Sequence, residues 1–137
     1  MVTQVSEAAI ERLRASMRGE VITPGHEVYN EVRKIWNGDV NRRPAVIARC
    51  TNVDDVKAAL AFGRTSGLRI AVKCGGHSVP GHSIADDALM IDLRGMNKVT
   101  VDAAARRATV QGGAIWSEVD AATQAHSIQR ARRHPAR

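Results

Sequence analysis

Aromatic residues are nearly missing from this 137-residue chain, at 3%: one Phe, one Tyr and two Trp. An interior built on stacked rings is thereby excluded, and Ala, Val, Ile and Leu must fill the core. Cysteine is just as sparse. Cys50 and Cys74 form no Cys-x-x-Cys pair and read as reduced thiols rather than a disulfide framework. No segment approaches the roughly 20 consecutive apolar residues of a membrane-spanning helix. Met1-Val2-Thr3-Gln4 offers neither a basic cluster nor an apolar run, so no signal peptide is expected and a cytoplasmic location is the default. No carboxylate pair and no Ser-His-Asp set stands out, so no catalytic residue is assigned in this chain.

The net charge of +6 is unevenly spread. From Ser127 onward come Arg130, Arg132, Arg133 and Arg137 and no acid, whereas residues 1–126 hold 16 basic and 14 acidic side chains. The body is nearly balanced, and nucleic acid or membrane partners are not expected of it. Four arginines without interleaved aromatics give only weak, salt-sensitive attraction to polyanions. The tail, 127–137, lacks hydrophobic periodicity and is expected to be disordered.

Apolar content of 44% and charged content of 25% fit one globular domain. A helix is expected over 6–18, capped by Ser6, stapled by Val5 and Ile10, with Ile10, Leu13 and Met17 buried and Gly19 as its stop. After a turn at Thr23-Pro24-Gly25, Tyr29, Val32, Ile35 and Trp36 recur at helical spacing as far as Asn37-Gly38. A strand is expected over 45–48, then a helix over 53–66 that buries Val56, Leu60 and Phe62. Thr51 and Asp54 are its capping pair and Gly67 its stop. A strand over 68–72 completes a compact parallel βαβ unit with a right-handed crossover. Further strands are expected over 88–93, 98–102 and 108–111, the last two joined by a turn near Ala103-Ala104, and a final helix over 115–126. Trp36 and Trp116 read as core residues, Cys50 as a core thiol, and Asp92 and Asp102 as strand-end or turn residues. The fold class is α+β, a small mixed sheet with helices packed on it.

The loop over 73–87 departs from both periodicities and is long enough to suggest a function. It opens Lys73-Cys74-Gly75-Gly76-His77-Ser78-Val79-Pro80-Gly81-His82. Adjacent glycines at the carboxyl end of a strand let backbone amides approach an anion; Lys73 adds positive charge and Ser78 a hydroxyl. A diphosphate suits such a loop, although the spacing is neither the Rossmann nor the Walker pattern. Cys74, His77, His82 and Cys50 have the residue types of a zinc site without its usual spacing, and no metal is assigned.

From Arg43-Pro44-Ala45-Val46-Ile47 through Ala71-Val72-Lys73-Cys74-Gly75-Gly76-His77-Ser78, Leu89-Met90-Ile91-Asp92-Leu93, Val99-Thr100-Val101-Asp102 and Ala108-Thr109-Val110-Gln111-Gly112-Gly113-Ala114-Ile115-Trp116 to Ala125-His126, the chain resembles the berberine-bridge-enzyme-like FAD-linked oxidases. Tyr29 to Trp36-Asn37 is similar to the family's lead-in, so the resemblance covers about residues 20–126. It implies the first subdomain of an FAD-binding domain of the p-cresol methylhydroxylase type over 41–126, preceded by a helical segment over 1–40 and followed by the basic tail. It also implies FAD as cofactor, His77 as the attachment point for the flavin's 8-methyl carbon, and Gly75, Gly76 and Ser78 as diphosphate contacts. Lys73, Cys74 and Gly81 belong to the same cofactor loop, and His82 is a loop histidine beside it. A small-molecule substrate belongs to the full-length family.

Three positions depart from the family pattern: Lys73 where arginine is usual, Cys74 where glycine or serine is common, and Asp87 where glycine is common. After Ala125-His126 the family's Gly-Leu-Ala segment and second glycine-rich stretch do not follow, nor do the substrate domain and catalytic base. The abrupt change to Arg/Ala/Pro-rich sequence is what a shifted reading frame in a GC-rich gene would produce. An FAD-dependent oxidoreductase represented by an incomplete domain is therefore expected; a catalytically inactive fragment or a small non-enzymatic module is the alternative.

Overall fold

A computed structural model describes residues 5–128. Its elements run α1 (Glu7–Ser16), β1 (Val21–Ile22), α2 (Tyr29–Val32), β2 (Val46–Arg49), α3 (Val53–Thr65), β3 (Ile70–Lys73), β4 (Leu89–Asp92), β5 (Val99–Asp102), β6 (Arg107–Val110) and α4 (Trp116–Gln124). Two sheets result: a mixed four-stranded one in the order β1-β2-β4-β3, and the antiparallel β5-β6 pair. This is the expected α+β arrangement.

β2 and β3 run parallel as expected, but they do not touch; β4 inserts between them and pairs parallel with both. The apolar run Leu89-Met90-Ile91 explains its central place. All three side chains are 1% exposed or less, and burying each contributes about 1.5–3 kcal/mol. One face of the sheet packs with Ile10, Leu13, Ala59 and Phe62 from α1 and α3, the other with Ile22, Tyr29 and Ile84. The Tyr29 hydroxyl donates to Pro44 O at 2.8 Å, fixing the short α2 against the start of β2.

Several expectations needed correction. The helical spacing from Tyr29 to Trp36 yields only one turn of helix, and Trp36 is 66% exposed rather than core. Trp116 is 63% and Leu60 40% exposed, because α3 and α4 each turn one stripe inward and these side chains lie off it. The α3 cap is displaced by one residue from Thr51 and Asp54. Asn52 accepts from the Asp55 N–H at 2.9 Å, and Asp55 turns back to accept from the Thr51 N–H and hydroxyl. Gly67, at φ 63, does stop α3: Leu68 N donates to Gly63 O and Gly67 N to Arg64 O, the paired bonds of a Schellman motif. Gly19 is not the stop of α1, which ends at Ser16. A Cβ on Gly19 would lie 1.8 Å from Arg49 O, so the glycine serves close approach to β2. The tail expectation lies largely outside the described residues.

Asp55 is the main polar tie in this core. Its buried carboxylate accepts from Arg18 N (2.8 Å), Gly19 N (3.0 Å), Thr51 N (2.9 Å) and Thr51 Oγ1 (2.8 Å), joining the exit of α1 to the start of α3. Burial alone would raise its pKa, but the hydrogen bonds from Thr51, Arg18 and Gly19 outweigh that and hold it below the ordinary value. A folded pKa below the unfolded one contributes stability above the unfolded pKa and loses it as pH falls through the folded one. Asp55→Ala should therefore cost about 3 kcal/mol at neutral pH, by stranding buried donors, as read from urea unfolding. An unchanged midpoint would refute this role.

Candidate functional site

The loop after β3 leaves the carboxyl end of the parallel strands, where ligands of open α/β sheets collect. Between this loop and the start of α4 lies a cavity of about 840 Å³. Gly75, Gly76, His77 and Ser78 line one side, Ala114 and Ile115 part of the other. A second cavity, of about 590 Å³, separates α1 from α3 and contains none of the loop residues.

The loop is held from behind by the segment that follows α2. Trp36 N donates to Gly76 O at 3.0 Å, Asn37 Nδ2 to Val79 O at 2.8 Å, and Arg42 Nη1 to Gly81 O and Ile84 O, both at 2.9 Å. Four of the loop's carbonyls are thus engaged by residues 36–42. The N–H groups of Gly75, Gly76, His77, Ser78 and Val79 donate to no other described residue. In a planar trans peptide N–H and C=O point oppositely, so the His77 N–H faces away from Trp36 N. Gly76 sits at φ 72 with Ile35 Cα 3.3 Å from where a Cβ would stand, so glycine is required both for its backbone angle and for space.

The predicted site residues take different places. His77 is exposed and lines the cavity. Ser78 lines it too; its Oγ accepts from His82 N at 3.1 Å, which leaves the hydroxyl proton to donate elsewhere. Cys74 lines the cavity and its Sγ donates to Ala114 O at 3.4 Å, tying the loop to the opposite wall. Gly81, at φ 76, is a turn behind the loop and packs on Val40. Lys73 points elsewhere than expected for a phosphate contact: its Nζ donates to Val32 O at 2.6 Å. Burial lowers its pKa, against the opposing pull of Asp92. Cys50 lies in the core, its thiol pushed up to about 12 by burial and by the Asp55 and Asp92 carboxylates, so it stays protonated. No group of three or more His, Cys, Asp or Glu among the described residues is placed to hold a metal ion. Asp87, where the family commonly has glycine, sits at φ 53.

Sequence reasoning missed the ion pair that fixes the second wall. Arg94, just past β4, forms a bidentate pair with Glu118 at 3.1 and 2.9 Å and also donates to Gly113 O at 2.9 Å. Glu118 caps α4 by accepting from Ile115 N at 2.8 Å, and takes a further bond from Asn97. Gly113 lets this turn lie directly on Leu93 O, which a Cβ would approach to 1.6 Å. The only signal available was an acidic residue in the first turn of an expected helix.

A model of the FAD binding domain family matches residues 44–130. The chain belongs to that family. This FAD-binding domain is 38% identical to the (R)-6-hydroxynicotine oxidase of Paenarthrobacter nicotinovorans over 76% of the chain and 23% of that protein. It is 31% identical to an FAD-linked oxidoreductase of Bacillus subtilis, over 77% of the chain and 24% of the other. Its fold matches the crystal structure of 6-hydroxy-D-nicotine oxidase from Arthrobacter nicotinovorans with a TM-score of 0.80, at 31% identity, over 90% of this chain and 26% of that one. It matches a berberine-bridge-enzyme-like protein of Physcomitrella patens with a TM-score of 0.71, at 25% identity, over 76% of this chain and 23% of that one. The fold is that of p-cresol methylhydroxylase-type FAD-binding domains. The chain spans about a quarter of the relatives it matches.

The Arg94–Glu118 pair carries a pH signature. The Arg94 bonds, with the Ile115 N–H, hold the Glu118 carboxyl down from 4.5 to about 2. A depressed folded pKa means a contribution fully present above the unfolded value and lost as pH falls toward the folded one. The difference in urea midpoint between wild type and Glu118→Gln should be constant near neutrality and should close between pH 4.5 and about 2. A difference that does not change across that window would contradict the pairing.

Proposed function

We propose that this chain is the portion of an FAD-dependent oxidoreductase that holds the cofactor's diphosphate on the Gly75–Ser78 loop and bonds the flavin's 8-methyl carbon through His77. One observation carries this reading: a row of uncommitted backbone amides, on two adjacent glycines, beside an exposed imidazole that lines a cavity. Such amides bind an anion through fixed dipoles with little reorganisation. A neutral imidazole is a competent nucleophile near neutral pH; attachment would replace one C–H bond of the methyl group by a C–N bond, with the proton released to solvent and the two electrons taken up by the flavin itself and then by oxygen. When bound, FAD supplies the redox chemistry, taking hydride from an organic substrate and passing electrons to oxygen or another acceptor.

The chain's own residues bind and orient. Residues 36–42 hold the loop's carbonyls, Gly76 provides the backbone angle, Ser78 offers a hydroxyl, and Lys73 serves the site by anchoring the loop to α2. Of the relatives named above, two carry 6-hydroxynicotine in their names and two carry no substrate, and the part of each that this chain matches is the FAD-binding domain. The substrate is a small molecule bound by the rest of such a protein. A cytoplasmic location accompanies the proposal, on the strength of the two free thiols Cys50 and Cys74. The alternative is an inactive fragment or a non-enzymatic module.

Expression with FAD tests both. The proposal expects yellow protein whose flavin survives denaturation in wild type and is released from His77→Ala. Gly76→Ala, strained in the left-handed region, should weaken FAD binding by about tenfold. Colourless wild-type protein, or colour fully removed by denaturant, would overturn the attachment, and the colourless result would favour the fragment reading.

A further inference from the structure

Trp36 has no core role to explain it. The indole is 66% exposed, and the hydrophobic effect alone would disfavour so large an apolar group in that position. Its ring instead stacks on His77, with centroids 6.3 Å apart and planes 25° from parallel. That separation is within the range of productive aromatic pairs. The backbone around it is pinned on both sides of the histidine: Trp36 N binds Gly76 O, and Asn37 Nδ2 binds Val79 O. Ile35 packs on Gly76 from the same strip of chain. The backbone that carries the indole is therefore fixed to the histidine's own loop, and the indole stacks on a ring whose residue lines the cavity.

We propose that Trp36 is a positioning residue for His77, an aromatic backstop that restricts the imidazole to orientations presenting a ring nitrogen to the cavity. Its use in flavin attachment rests on the reading of His77 given above; the stacking and its effect on the imidazole do not. Holding a nucleophile in a near-attack geometry acts on the rate of bond formation, while diphosphate binding by the loop amides is left intact.

The test uses the full 137-residue chain as wild type, Trp36→Phe and Trp36→Ala. Side-chain NMR without FAD is read first. His77 ring protons in wild type should be shifted by the indole ring current; the shift should vanish in Trp36→Ala and be partly kept in Trp36→Phe, with the Gly76 and Val79 amides unmoved. With FAD added, the rate at which flavin becomes resistant to denaturation should fall about tenfold to a hundredfold in Trp36→Ala, with equilibrium FAD affinity nearly unchanged and Trp36→Phe recovering most of the rate. His77 signals identical in wild type and Trp36→Ala would overturn the proposal, as would attachment rate and affinity falling together. A wild-type chain that shows the ring-current shift yet never attaches flavin would sink the His77 attachment and leave the positioning of the ring supported.

Discussion

The loop between β3 and β4 has its hydrogen-bonding capacity divided between two sides, and the rest of the site depends on that division. Carbonyls of Gly76, Val79, Gly81 and Ile84 are taken by Trp36, Asn37 and Arg42, while the N–H groups from Gly75 to Val79 donate to no other described residue. Successive uncommitted amides on a loop held from behind are the observation on which the proposed diphosphate site rests. Glycine at 76 is what allows the chain to follow this path against Ile35.

The fold supplies the frame. Parallel pairing of β2, β4 and β3 brings the carboxyl ends of β3 and β4 side by side, with Lys73 opposite Asp92. From one end departs the glycine loop; from the other departs the turn that carries Arg94. Arg94 then reaches across to Glu118 and fixes the first turn of α4, so both walls of the cavity are anchored to adjacent strands. Asp55, just past the carboxyl end of β2, joins the exit of α1 to the start of α3.

Much of this was legible in sequence, for identifiable reasons. Leu89-Met90-Ile91 and Ala45-Val46-Ile47-Ala48 are apolar runs bounded by turn residues and read correctly as strands. The Gly75-Gly76-His77-Ser78 loop stood out because it breaks every periodicity, and Gly67 marked the end of α3. β1 was invisible: two residues, Val21 and Ile22, are too short for a pattern and owe their strand to pairing with β2. Trp36 was misread because Tyr29, Val32 and Ile35 set a helical rhythm that it continues, whereas the helix ends at Val32. The α3 cap was misplaced by one residue because Thr51/Asp54 and Asn52/Asp55 are overlapping capping patterns, and only tertiary bonds from Arg18 and Gly19 choose between them. The Arg94–Glu118 pair joins residues from separate elements, a contact that no local pattern encodes.

The central claim is that the free amides of the loop receive the cofactor's phosphates. Amide NMR during titration with FAD addresses it directly. The account predicts that the Gly75, Gly76, His77 and Ser78 N–H signals move downfield and saturate together, with ADP reproducing part of the change through its own diphosphate. Shifts confined to the groove between α1 and α3, with those four signals still, would contradict it.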